Sequence, residues 1–193
     1  ERERGAGDPP VDQALVPAAH LLRRRVSPAH AAVHRAPDGP LPRSVRLQGH
    51  RRAAEQLERA EADKLDRYVE LLCHHWERAE DGARLRGWLL RAGEKARAAF
   101  ANETAEEFFA RAAGLYRDAA PGTPEDRACG AALLGRAEAL LLLGRAEEVV
   151  PLLTEARGRA EAAGDEEAAR EALLRLAETH RRRGDHEAAR EVA

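Results

Sequence analysis

An all-α protein, built from antiparallel helical hairpins stacked as an α-solenoid, is what this sequence predicts, on three observations. Aromatic residues make up only 4% of a chain that is 44% hydrophobic, so Ala and Leu supply most of the apolar surface. Ala has the best helix propensity and lets neighbouring backbones approach closely. Helix-breaking or capping residues recur from Ser44 onward at nearly constant intervals: Asp63, Asp81-Gly82, Asn102, the PGTP stretch at 121–124, Gly144, Gly164 and Gly184. The last three glycines are 20 residues apart, which leaves a helix of about 17 residues, roughly 25 Å long, and a tight turn in each interval.

The array begins after a different kind of sequence. Pro9, Pro10, Pro17, Pro28, Pro37, Pro40 and Pro42 interrupt residues 1–43, which show no sustained 3.6-residue apolar pattern. This Pro/Arg-rich segment is predicted to be irregular or disordered, apart from one helix over DQALVPAAHLLRRRV (residues 12–26). Residues 44–193 form the predicted repeat array, which stops inside a helical pattern at HEAAREVA, as an excised piece of a longer chain does.

Local chemistry places the helix ends. Thr123 precedes Pro124, Glu125 and Asp126, which puts a hydroxyl at the N-cap, proline at the first helical position and acids in the positive first turn. Gly164-Asp165 and Gly184-Asp185 each pair a helix-ending glycine with an N-capping aspartate. Pro151 is expected in the second turn of the helix after Gly144, where it would remove a backbone bond to Glu147 and bend the helix.

The stretch ELLCHHWERAED at 70–81 poses the question of a metal or redox site. At 100° per residue, Val69, Leu72, Cys73, Trp76 and Ala79 make one apolar stripe, so Cys73 reads as a small core residue. His74 and His75 then lie about 100° and 200° from Cys73, and no two of the three converge on one ion. GAALLGRA at 130–137 has the spacing of a phosphate loop, but Arg136 and Ala137 stand where Lys and Ser or Thr are required, so it reads as helix. His30 and His34 flank a proline-rich segment that lacks a helix to hold them in register, and the RRR triplets at 23–25 and 181–183 read as solvated helix ends. No nucleophile motif, dinucleotide loop or paired catalytic carboxylate stands out, so neither enzymatic activity nor a catalytic, cofactor or metal site is expected.

Charged residues form 34% of the chain, yet the net charge is −2, which is the electrostatics of an ordinary soluble surface. Residues 51–193 hold 24 Lys plus Arg against 29 Asp plus Glu, a balance of −5, which excludes an array that is basic overall. Two cysteines far apart in sequence, Cys73 and Cys129, suggest a reducing compartment, and with no bilayer-length apolar run a cytoplasmic location is expected. Basic residues are nearly all Arg, with Lys only at 64 and 95, a bias that suggests a high-GC bacterial source.

Residues 135–165 and 166–193 resemble two tetratricopeptide repeats. Ala137, Leu140, Gly144, Val149, Leu153 and Ala156 fall at the packing positions of the first, and Ala177, His180, Gly184 and Ala189 at those of the second. Upstream, DRYVELLCHHWERAEDGARLRGWLLRAGEKARAAFANETAEEFFARAAGLY resembles the helical region that follows the ATPase module in large bacterial signalling proteins of the STAND or AAA type. These are LuxR-family transcription regulators and multidomain class III adenylate or guanylate cyclases. Within it Trp76 lies on the apolar stripe, and the resemblance makes Gly93, Ala105, Phe109 and Ala112 packing positions. The resemblance covers about residues 41–193, and what precedes residue 41 does not match the winged-helix-like region the family would place there.

The resemblance implies a noncatalytic interaction or sensor module that binds a protein, a peptide or a small-molecule inducer, without a cofactor and without a membrane. Its binding groove would be lined by the exposed side of the first helix of each pair, including Glu138, Arg175 and Glu178. The alternative from another class is a nucleic-acid-binding helical module that uses local Arg-rich ridges.

Overall fold

The structure is a computed structural model that describes residues 42–60 and 62–192. The expectations for the 12–26 helix, for His30 and His34, and for the Arg triplet at 23–25 lie outside those residues. Among the described residues the chain is all-helical. In order it forms α1 (Arg43–Ala60), a 3-10 turn (Ala62–Arg67), α2 (Val69–Arg78), α3 (Gly82–Ala98), α4 (Asn102–Tyr116), α5 (Pro124–Leu142), a second 3-10 turn (Ala146–Glu148), α6 (Val149–Ala162), α7 (Glu166–Arg182) and α8 (His186–Val192). Each helix packs on the next in the chain, and α3 with α5 and α5 with α7 touch across the helix between them.

One turn recurs between these helices. Glu80, Phe100, Gly144, Gly164 and Gly184 all adopt positive φ, between 54° and 76°. At each, the residue that follows donates its N–H five residues back: Asp81 to Trp76, Ala101 to Ala96, Arg145 to Leu140, Asp165 to Ala160 and Asp185 to His180, over 2.9–3.1 Å. The positive-φ residue itself donates three back, as Glu80 does to Glu77 and Gly164 to Glu161. This pair of bonds satisfies the last carbonyls of a helix and reverses the chain in three residues. The sequence signals it where glycine stands and conceals it at Glu80 and Phe100, where a Cβ makes the left-handed conformation costly.

The caps follow the sequence. Asp81, Thr123, Asp165 and Asp185 each accept a backbone N–H from three residues ahead, at 3.0–3.2 Å. Pro151 corrects the expectation of a bend. The residues after Gly144 form the short 3-10 turn first, so α6 begins at Val149 and Pro151 is its third residue. In the first turn of a helix no intrahelical acceptor awaits the proline nitrogen, and nothing is lost.

The packing centres on α5. Asp126, Cys129, Gly130, Ala132, Leu133, Gly135, Ala137, Ala139 and Leu140 are all buried, leaving, beyond the exposed Pro124 and Glu125 at its start, a narrow stripe open through Arg127, Ala131 and Leu142. Small residues make this enclosure possible. Phe109 of α4, 1% exposed, has its ring between Gly93 of α3 and Gly135 of α5: a Cβ on Gly93 would come within 2.7 Å of that ring, and one on Gly135 within 2.6 Å. Ala105 and Ala139 complete this cluster, while Leu140, Val149, Leu153 and Leu176 form another between α5, α6 and α7. Ala112 and Ala156 join the largest cluster, which holds Val69, Leu72, Cys73, Trp76 and Leu89.

Glu58 fastens α1 to this body. Its Oε1 accepts both the Trp76 indole N–H at 3.0 Å and the Trp88 indole N–H at 2.9 Å, while Oε2 accepts from Arg84 Nη1 at 3.1 Å. Burying two indoles requires an acceptor for each N–H, and one carboxylate supplies both.

Replacing Gly135 with Ala forces the Phe109 ring out of its slot and is expected to cost about 1–3 kcal/mol. Adding Phe109→Leu should recover part of that loss, because the shorter side chain makes room for the methyl. Urea titration of both single variants and the double variant checks this, and strictly additive costs would refute the contact.

Candidate functional site

The open stripe of α5 leads to the one described place where three alternate helices meet through charge. Glu138 lies between Arg97 of α3 and Arg175 of α7: Arg97 Nη1 is 3.5 Å from its Oε1 and Arg175 Nη1 is 3.3 Å from its Oε2. Arg97 reaches on to Glu94 at 2.6 Å and Arg175 to Glu171 at 2.8 Å. The result is a row of alternating charge, Glu94, Arg97, Glu138, Arg175, Glu171, across α3, α5 and α7. Glu94 and then Glu138 raise the Arg97 pKa against the effect of burial, so this guanidinium is firmly cationic.

Of the three residues the sequence assigned to a binding face, Glu138 and Arg175 are thus brought together. Glu178 stands apart from the row, bonding Arg181 at 2.7 Å and Arg182 at 2.9 Å one turn further along α7. Two large apolar side chains on the same helices are open to solvent, Leu142 at the end of α5 and Leu174 on α7, at 58% and 62%. Leu142 follows Glu138 by four residues on α5, and Leu174 is the neighbour of Arg175 on α7.

The packing positions read from the sequence are found as follows. Trp76, Gly93, Ala105, Phe109, Ala112, Ala137, Leu140, Leu153, Ala156, Ala177 and Ala189 are buried, and Gly144 and Gly184 occupy the positive-φ turns. Residues 130–137 lie inside α5, with Gly135 against Phe109, so their glycines serve helix packing.

Around Cys73 the angular argument holds only in part. Cys73 is 2% exposed, and burial pushes its thiol up to about 12, while burial also raises Cys129. Both thiols stay protonated at neutral pH and behave as small apolar groups. His75, however, is 1% exposed, although it projects away from the apolar stripe. The reason is α1, whose His50 brings Nδ1 to 3.0 Å from His75 Nδ1, with the His74 ring 5.5 Å from that of His75. Helical periodicity within α2 carries no information about a helix laid over its other side. Among the described residues no group of three His, Cys, Asp or Glu side chains is placed to hold a metal ion, and no helix is long and apolar enough to cross a membrane.

Sequence reasoning also missed a buried ion pair. Asp126, 2% exposed, accepts from Arg159 Nη1 at 2.6 Å and from the Gly122 N–H at 3.0 Å. Arg159 also donates to the Arg117 carbonyl at 3.0 Å and pairs with Glu155 at 2.9 Å. One guanidinium on α6 therefore ties the start of α5 to the end of α4. The available signal was the threonine followed three residues later by an acid, which fixed the cap but not the partner 33 residues away.

No protein-family model, curated protein or solved structure matches the chain.

Burial pushes the Asp126 carboxyl up, but the Gly122 N–H and the Arg159 guanidinium outweigh it and hold the folded pKa below the ordinary aspartate value. A carboxyl depressed on folding stabilises the fold above its unfolded pKa, near about 3.9, and that stabilisation is lost as the pH falls through the folded value. Asp126→Asn should cost about 2–3 kcal/mol at pH 7 by leaving Arg159 without its buried counter-charge. The penalty should shrink in acid, as the pH falls through the lowered folded value and the wild-type carboxyl protonates as well. Denaturant titrations of both proteins at pH 7 and in acid check the sign; a penalty that grows in acid would contradict it.

Proposed function

We propose that residues 44–193 are a noncatalytic interaction module, a tetratricopeptide-like α-solenoid that binds a protein or peptide through the face of α3, α5 and α7. The observation that carries this reading is the recurring turn: the same two backbone bonds close the hairpins at 80, 100, 144, 164 and 184, and each helix packs on its chain neighbour. Stacked hairpins cannot bury their faces alone, so they share a continuous core and leave one edge of every other helix open. The Glu138 row lies on such an edge and offers a partner directional charge instead of a reactive centre.

In this proposal the module belongs to a larger bacterial regulator or cyclase of the ATPase type, and a small inducer is a second class of ligand for the same face. Any ATPase or cyclase chemistry belongs to other parts of such a protein. The nucleic-acid reading is weaker, because arginines on the proposed face are already engaged by carboxylates, as Arg97 and Arg175 are.

Affinity capture with the full chain as bait, from a high-GC bacterial lysate, tests the reading. A protein or peptide competed by excess bait and lost with Glu138→Ala supports it. Nucleic acid alone, released as salt rises, would move the assignment to the alternative. The repeat register has its own check at Ala156, 1% exposed against the cluster of Cys129, Ala132 and Leu133. Ala156→Glu buries a charge there and should lower stability by at least about 3 kcal/mol. An unchanged melting temperature would refute that register.

A further inference from the structure

The two halves of α1 are held by different forces. In the second half Ala53 and Ala54 are 4% and 0% exposed, and Glu58 takes the two indole bonds. In the first half every residue from Pro42 to Arg52 is exposed or half-buried. The side-chain contacts described there are two ion pairs and a histidine cluster: Arg43 pairs with Glu80, Arg51 Nη2 is 3.3 Å from Asp81 Oδ2, and His50 has its Nδ1 3.0 Å from His75 Nδ1 and its ring 5.2 Å and 5.9 Å from those of His75 and His74. The Arg43, Glu80 and Arg51 side chains are each more than half open to solvent, so dissolved salt screens both pairs.

Gly49 lies within this stretch, with nothing within 4 Å of where a Cβ would stand, so it lowers helix propensity without any packing return. A helical segment this short has little stability in water once its tertiary contacts are gone. The receiving side is fixed independently, because Asp81 Oδ1 caps α3 by accepting from the Arg84 N–H at 3.1 Å whether or not Arg51 is present.

We propose that residues 43–52 are a strap latched by ion pairs. As ionic strength rises the strap leaves the α2–α3 turn and melts back to Ala53, separating His50 from His75, while residues 53–60 stay docked. Glu80 and Asp81 remain in place as the catch, so closure is reversible and responds to any cation that competes for those two carboxylates.

Amide hydrogen exchange of the full chain, compared between about 20 mM and 500 mM sodium chloride, reads this directly. Exchange at residues 47–56, whose N–H groups donate to the carbonyls of 43–52, should accelerate at least tenfold with salt, while residues 57–59 keep their rates. The Arg43→Ala/Arg51→Ala variant should exchange fast at 47–52 already in low salt and respond little to more. Gly49→Ala, which adds a methyl into open space, should slow exchange at 47–52 about fivefold at every salt concentration. Salt-independent exchange at 47–52 in the unaltered chain, or acceleration of 57–59 in step with it, would overturn the proposal.

Discussion

The distance between α3, α4 and α5 is set by one aromatic ring. Phe109 has glycine on both sides, and neither Gly93 nor Gly135 has room for a methyl group. With the ring in place, α5 is drawn into contact on nearly every side, and its open surface narrows to a single stripe. That stripe is where Glu138 meets Arg97 and Arg175, so the candidate binding face exists because the other faces of α5 are filled. Small residues elsewhere in the core, Ala105, Ala112, Ala137 and Ala139, work to the same end by keeping helices close enough for one ring to bridge them.

Charge settles the orientation that apolar contact leaves free. The Asp126–Arg159 pair joins three consecutive helices at one end of α5, and the Glu138 row joins three alternate helices towards the other. Glu58 does the same for α1 by satisfying two buried indoles at once. Each of these groups is costly to bury alone and becomes favourable only when its partners arrive in register. They therefore specify which way the helices face more than how tightly they pack.

Much of the helical architecture was legible in the sequence, because its signals are local. Glycine spacing, Thr123 with Pro124, and aspartates at helix starts located the turns, and the 3.6-residue stripe placed Cys73 and Trp76 inside. What stayed hidden depends on residues distant in the chain. The burial of His75 comes from α1, and the partner of Asp126 lies on α6. Glu80 and Phe100 escaped for another reason: they take a backbone conformation their side chains disfavour, so residue type pointed away from it. Pro151 was misplaced by one turn because a short 3-10 segment, which has no strong sequence signature, delays the start of α6. On the candidate face, the expectation that the exposed side of the first helix of each pair lines a groove pointed to Glu138 and Arg175, but the bridging distances were not readable from spacing alone.

Packing that runs mainly between chain neighbours also bears on how the molecule forms. Most contacts join segments only one hairpin apart, so loop closure costs little entropy at each step. A polypeptide organised this way has low contact order, the property that accompanies rapid folding. Growth can start at any well-packed pair of neighbouring helices and add the next helix in the chain at little entropic cost. The helices around Phe109, where three share one ring, are the natural seed.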